Sequence, residues 1–201
     1  MFVLTFIARL ASSDMSALAQ RLEQLEPTVG FAQTYHDELQ GAFDTAQDAL
    51  AAALLGARHG EFWVGIGVGS LTLPRFATAL GVVATTDCEG AALNASRAAV
   101  ELAQTGAPPR GICLNTRDRE KAEQVTGLLR LLYRVTAART EAEWRVLDLL
   151  IPGVRGQQKA VAQALGITSQ AVSKTLVRSL WHEELATRPL LEHLMEQLDA
   201  A

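Results

Sequence analysis

The segment from Gln157 to Leu180 constrains the fold of this chain most, because it predicts two short amphipathic helices on either side of one glycine. The first helix, Gln157 to Leu165, places apolar residues at the three- and four-residue spacing of a single buried face. These residues are Val161, Ala162 and Leu165. Such a short helix is marginal alone in water, so a neighbouring helix must cover its apolar face.

Gly166 provides the turn after this helix, because a residue without Cβ adopts positive φ at low cost. Thr168 is a suitable N-cap for a second helix, predicted from Ser169 to Trp181. Ile167 is expected to fill the gap between the helices. Two residues of the second helix are expected to face the first: Val172 and Leu176.

The charge of this region differs from that of the whole chain, which has 18 basic and 22 acidic residues and a net charge of −4. From Leu149 to His182 there is no acidic residue, and the segment contains four basic ones: Arg155, Lys159, Lys174 and Arg178. The other 14 basic and 22 acidic residues give a net charge of −8. An ordinary solvated surface mixes both signs, so a cationic segment on an acidic chain indicates a phosphate-bearing partner.

The pattern resembles the helix-turn-helix motif of MarR-like, LuxR-like and sigma-factor-type DNA-binding domains, with a small Ala162 four residues before Gly166 and Val172 six residues after it. A supporting helix is predicted from Thr140 to Leu150. The resemblance implies that the second helix enters the major groove of double-stranded DNA, where Gln170 can bond adenine through two hydrogen bonds. The candidate DNA contacts are Arg155, Lys159, Thr168, Ser169, Gln170, Ser173, Lys174 and Arg178.

The last predicted helix, Glu184 to Leu198, is rich in leucine and lacks the pattern of a two-stranded wing. Such a helix favours packing or dimerisation, and a homodimer would place two second helices on successive half-sites. The alternative is that residues 139–201 form an ordinary helical hairpin that only packs.

Residues 1–138 predict an α+β domain, and residues 139–201 an all-α domain. The predicted order is a strand (1–10), a helix (14–25), two strands forming a hairpin (28–35 and 39–43), a helix (45–58), a strand (62–73), a helix (89–103), a strand (110–115) and a helix (116–138). We expect one sheet with its helices on a single face. Within the 62–73 strand, Gly65, Gly67 and Gly69 share one parity, which predicts that a neighbouring backbone approaches that face closely.

Three blocks of this domain resemble, in order, motifs of the SatD family, which is related to nucleotide cyclases and GGDEF diguanylate cyclases. The blocks are His36-Asp37-Glu38-Leu39-Gln40-Gly41 at the hairpin tip, Val64-Gly65-Ile66-Gly67-Val68-Gly69, and Asp87-Cys88-Glu89-Gly90-Ala91-Ala92-Leu93-Asn94-Ala95-Ser96-Arg97. The resemblance implies a ferredoxin-like sheet.

In those cyclases two carboxylates hold the metal ions, and the chain departs from that pattern because Ala8-Arg9 stands where the first carboxylate belongs. Asp37 and Glu38 are then expected to cap a turn or to pair with a base such as Arg9. We therefore expect no catalytic residue, metal ion or cofactor. A small-molecule or nucleotide effector would be held by Arg9, Asp37, Glu38 and Arg97.

Three hypotheses about function follow. The first is a cytoplasmic, dimeric transcriptional regulator whose N-terminal domain dimerises or senses an effector. The second is a cyclase-like, nucleotide-processing enzyme with an accessory DNA-binding tail. The third is an effector-binding or protein-interaction module.

The sequence also indicates the compartment. No apolar run reaches the roughly 18 residues of a membrane span, and no basic residues precede the apolar N-terminus as in a signal peptide. Cys88 and Cys113 fit reduced thiols. Cys88 is a candidate exposed thiol sensor.

Overall fold

The computed structural model describes residues 1–35, 37–75 and 83–199 of the chain. Its first part contains β1 (Phe2–Ala8), α1 (Met15–Glu23), β2 (Val29–Tyr35), β3 (Glu38–Phe43), α2 (Ala46–Ala57), β4 (Phe62–Val68), α3 (Ala91–Gln104), β5 (Ile112–Asn115) and α4 (Arg119–Ala137). Four further helices follow: α5 (Glu141–Leu147), α6 (Gln158–Leu165), α7 (Ser169–Arg178) and α8 (Trp181–Asp199). The predicted mixture of strands and helices is confirmed, and within the described ranges it comprises five strands and eight α-helices.

The strands form one mixed sheet in the order β2-β3-β1-β4-β5. All neighbours are antiparallel except β4 and β5, which are parallel. In the central strand, Thr5 lies opposite Gln40 on one side and Gly65 on the other. Because β1 is paired on both edges and covered on both faces, its sequence is the nearly unbroken apolar run seen at the N-terminus.

Helices cover both faces of the sheet, so the prediction of helices on a single face is wrong. One face carries Phe2, Leu4 and Phe6 and packs against α1, α2, α4 and α8. The other face packs against α3 over Gly65 and Gly67. A Cβ on Gly65 would lie 2.3 Å from the carbonyl oxygen of Ser96, so only glycine lets α3 approach this closely, and the predicted close approach is confirmed.

Under α3 three buried polar side chains form a closed hydrogen-bond network. Gln40 Nε2 donates to Thr5 Oγ1 and to Ser96 Oγ, each at 3.0 Å, and Thr5 Oγ1 donates to Ser96 Oγ at 2.9 Å. Ser96 Oγ in turn donates to the carbonyl of Leu93. Since the three residues are at most 1% exposed, this network fixes the position of α3 over β1 and β3.

The C-terminal helices contact the sheet domain through α8. Leu191, Met195 and Leu198 of α8 belong to the same hydrophobic core as β1, and the amino group of Met1 is paired with Asp199. A domain boundary after residue 138 therefore stays a prediction. The helix α8 follows that position in the chain but packs against the sheet formed by residues before it. Of the helices in the described ranges, none combines the length and apolar character that a membrane span requires.

Candidate nucleic-acid interface

The turn between α6 and α7 has the local geometry that its sequence predicts. Gly166 ends α6 with φ +66°, and the amide of Ile167 donates to the carbonyl of Ala162 at 3.0 Å. Thr168 then caps α7 by accepting a hydrogen bond from the amide of Ala171 at 3.1 Å. Together these bonds hold the two helices in a fixed mutual orientation.

A small apolar core joins α5, α6 and α7. It is formed by the buried side chains of Val146, Val161, Ala162 and Val172, with Leu150 and Leu165 packed partly against it. Val172 is fully buried and Leu176 is 4% exposed, as predicted. Ile167 does not fill the gap between the helices, because its side chain is 41% exposed.

The second helix ends at Arg178, three residues before the predicted end at Trp181. Leu180 adopts a positive φ of +54°, which an α-helix does not accommodate, and α8 begins at the next residue. The carbonyl of Ser179 at this break accepts hydrogen bonds from Arg139 Nε at 3.0 Å and Nη2 at 2.8 Å. A buried guanidinium therefore supports the end of α7.

All eight predicted DNA contacts are exposed. Six of them lie on α7 or at its N-cap: Thr168, Ser169, Gln170, Ser173, Lys174 and Arg178. Arg155 precedes α6 in the 149–157 loop, and Lys159 lies in its first turn. The exposed face of α7 is thus mainly polar and basic, with Val177 as an apolar exception, whereas the opposite face is apolar.

An acidic side chain that the linear sequence did not predict enters this surface. Glu143 Oε1 on α5 accepts a hydrogen bond from Arg178 Nε at 2.7 Å. Its other oxygen accepts from the amide of Thr140 at 2.7 Å, which closes a capping box at the start of α5. The backbone hydrogen bond from Thr140 lowers the pKa of Glu143 most, and the nearby guanidinium of Arg178 lowers it further. Arg178 remains 70% exposed, so its other N–H groups are open to solvent.

The second predicted site, in the sheet domain, is only partly assembled. Glu38 is 6% exposed, accepts a hydrogen bond from Arg97 Nε at 3.1 Å and is bonded by the hydroxyl of Thr34. Arg97 also lies over the ring of Tyr35, at 5.2 Å. Asp37 is exposed in the turn beside this cluster, and His36 lies outside the described residues. The predicted pairing of Glu38 with a base is confirmed, but the partner is Arg97.

Arg9, a candidate partner of Asp37 or Glu38, binds elsewhere. Its Nη1 donates to the hydroxyl of Tyr133 at 3.1 Å, and its guanidinium lies 4.1 Å from the ring centroid of Trp63. Burial raises the pKa of Tyr133, and the positive charge of Arg9 opposes that rise. The four predicted effector residues therefore do not form one cluster.

Neither cysteine has the surroundings of a reactive thiol. Cys88 is 7% exposed, so the candidate role as an exposed thiol sensor is excluded, and burial together with the charge of Asp87 raises its pKa. Cys113 is 1% exposed, and its pKa is likewise raised, mainly by burial. Within residues 1–35, 37–75 and 83–199, no cluster of three or more His, Cys, Asp or Glu side chains could hold a metal ion.

The strongest arrangement in the described chain is therefore the α6–α7 pair with its exposed polar and basic face. Its donors and cations suit phosphate oxygens and base edges. Comparison of the chain with protein-family models, with curated proteins and with solved structures finds no match.

Proposed function

We propose that this chain is a DNA-binding transcriptional regulator that acts in the cytoplasm as a homodimer. The observation that carries the proposal is the exposed face of α7, where Gln170, Ser173 and Lys174 lie opposite the buried Val172 and Leu176. Side chains of a kind that can bond base edges thus project outward from a helix whose other face is packed in an apolar core.

The roles of the eight residues follow from their chemistry. Gln170 is a neutral donor and acceptor near the start of α7, and Ser173, whose hydroxyl donates to the carbonyl of Ser169 at 3.0 Å, remains an acceptor, so we assign both to base edges. Arg155, Lys159, Lys174 and Arg178 are cations, and Thr168 and Ser169 carry hydroxyls at the N-terminus of α7, so we assign these six chiefly to phosphates. Glu143 neutralises part of this charge but leaves most of the Arg178 side chain accessible.

For the sheet domain we propose a SatD-like, cyclase-related and ferredoxin-like identity, with dimerisation or effector sensing instead of catalysis. The strand order β2-β3-β1-β4 and the hairpin of β2 and β3 support it. Against a metal-dependent activity, the resemblance puts Arg9 where the cyclases have a metal ligand, and Glu38 already accepts hydrogen bonds from Arg97 and Thr34.

The direct test is fluorescence anisotropy of the full chain with a labelled random duplex pool over a range of salt concentrations. Replacing Lys174 and Arg178 by Ala should weaken binding and reduce the slope of log K against log salt by up to about 1.8, at about 0.9 per phosphate contact. The matched control is Lys121→Ala, which removes a 60% exposed lysine from α4. Equal binding by the double variant and by the wild type would refute the assignment of α7.

A further inference from the structure

The exposed face of α7 includes one apolar side chain that neither the core nor the capping of the helix requires. Val177 is 71% exposed, the highest fraction among the large hydrophobic residues of the described chain. A β-branched residue has a slightly unfavourable helix propensity, and at 71% exposure little burial compensates for it. Single exposed apolar residues are common, so the position of Val177 on the helix decides its meaning.

Val177 lies on the same face as the predicted base contacts. It follows Gln170 by seven residues, which is about two helical turns, so the two side chains project within about 20° of each other and about 10.5 Å apart along the axis. Lys174 lies between them. A molecule that covers Val177 would therefore also contact Gln170 and Lys174.

A major groove offers one apolar group among its polar base edges, which is the C5-methyl group of thymine. We propose that Val177 contacts a thymine methyl group and so contributes to the sequence preference of the chain; this inference rests on the proposed function. At about 3.4 Å per base pair, the axial distance limits the separation between that thymine and the pair contacted by Gln170 to about three base pairs, because an inclined helix spans fewer. The preferred half-site then contains an A·T pair and a thymine within that distance.

The test begins with selection of duplexes from a random pool by the full wild-type chain. If no sequence is enriched and no binding is seen at low salt, the proposed function fails, and this inference fails with it. If a consensus emerges, each thymine in it is replaced singly by deoxyuridine, which removes only the methyl group.

One deoxyuridine substitution should weaken binding by the wild type about fourfold, the equivalent of one buried methyl group. Val177→Ala should lose a similar factor on the thymine duplex and be insensitive to that deoxyuridine. The control Leu131→Ala, which shortens a 65% exposed side chain on α4, should keep the wild-type sensitivity. The inference is overturned if no deoxyuridine weakens wild-type binding, if Val177→Ala keeps the sensitivity, or if this variant changes only self-association in sedimentation.

Discussion

Arg139 Nη2 lies 2.6 Å from Oε2 of Glu184, and each side chain is only 2% exposed. The two groups form an ion pair whose geometry is not that of a hydrogen bond, because Glu184 Oε2 accepts no hydrogen bond from the described residues. Glu184 also pairs with Arg188 through its other oxygen, and Arg139 bonds the carbonyl of Ser179. The buried pair therefore connects the end of α4, the break after α7 and the start of α8.

Glu184→Gln should destabilise the fold strongly, because it leaves the guanidinium of Arg139 buried without an opposing charge. We expect a loss of about 3 kcal/mol or more in the free energy of unfolding, measured by urea denaturation. Asp148→Asn is the matched control. It breaks the 2.9 Å pair of Arg58 with a 47% exposed carboxylate, which should cost about 1 kcal/mol or less. Equal losses in the two variants would contradict a special role of the buried pair.

Gly65→Ala should also destabilise, because the new Cβ would lie 2.3 Å from the carbonyl oxygen of Ser96 and 2.4 Å from the amide nitrogen of Val100. These are backbone atoms of α3 and cannot rotate away, so we expect a loss of about 3 kcal/mol. Gly127→Ala provides a control of opposite sign. Its Cβ would meet nothing within 4 Å on α4, so alanine should stabilise by about 1 kcal/mol. Calorimetric melting of both variants checks this, and a neutral Gly65→Ala would contradict the close contact with α3.

The residues of the α6–α7 turn could be predicted from the sequence because their geometry is local. Gly166 and Thr168 bond backbone groups within four positions of themselves. The apolar residues recur at four-residue spacing within each helix, as Val161 and Leu165 do in α6 and Val172 and Leu176 in α7. The end of α7 was missed since Leu180 adopts positive φ without being glycine, and no local signal marks it.

Long-range partners could not be predicted from the pattern. The alternation in β4 showed that Gly65 admits a close backbone but not which helix approaches, and this led to the error about a single covered face. Arg178 and Glu143 are separated by 35 positions, and Glu38 and Arg97 by 59, so both pairs depend on the packing of different elements. For the same reason, the segment from Leu149 to His182, which contains no acidic residue, has an acidic neighbour in the folded chain, Glu143.

Thr126→Val should weaken the edge of the sheet at β5. The hydroxyl of Thr126 accepts from the amide of Leu114 at 2.9 Å and donates to its carbonyl at 3.3 Å, which occupies groups that an edge strand otherwise leaves open. Valine keeps the shape but leaves both groups unsatisfied, at a cost of about 1–3 kcal/mol. We expect lower stability in urea and more association by light scattering.

Thr126→Ser retains the hydroxyl and serves as the control for this edge. It should stay closer to the wild type in both measurements. If valine and serine behaved alike, the hydrogen bonds to Leu114 would not be what protects the edge.

Glu143 should make the stability of the chain depend on pH. Its pKa is lowered in the folded state, so the folded chain binds the proton less readily than the unfolded chain does. The stabilisation by its charge is therefore complete above the unfolded value of about 4.3 and is lost as pH falls through the lower folded value.

The variant Glu143→Gln isolates this contribution, because glutamine still accepts the capping bond from Thr140 but does not titrate and has no charge for Arg178. Urea denaturation at pH 7, 5, 4 and 3 should show the wild type more stable than the variant at neutral pH and the two curves converging on acidification. A difference that grew as the pH fell would have the opposite sign and would contradict a lowered pKa. The same variant removes the carboxylate that faces Arg178, so the affinity of the variant for DNA at low salt should rise while its stability falls. These opposite effects separate the contribution of Glu143 to folding from its effect on the basic surface.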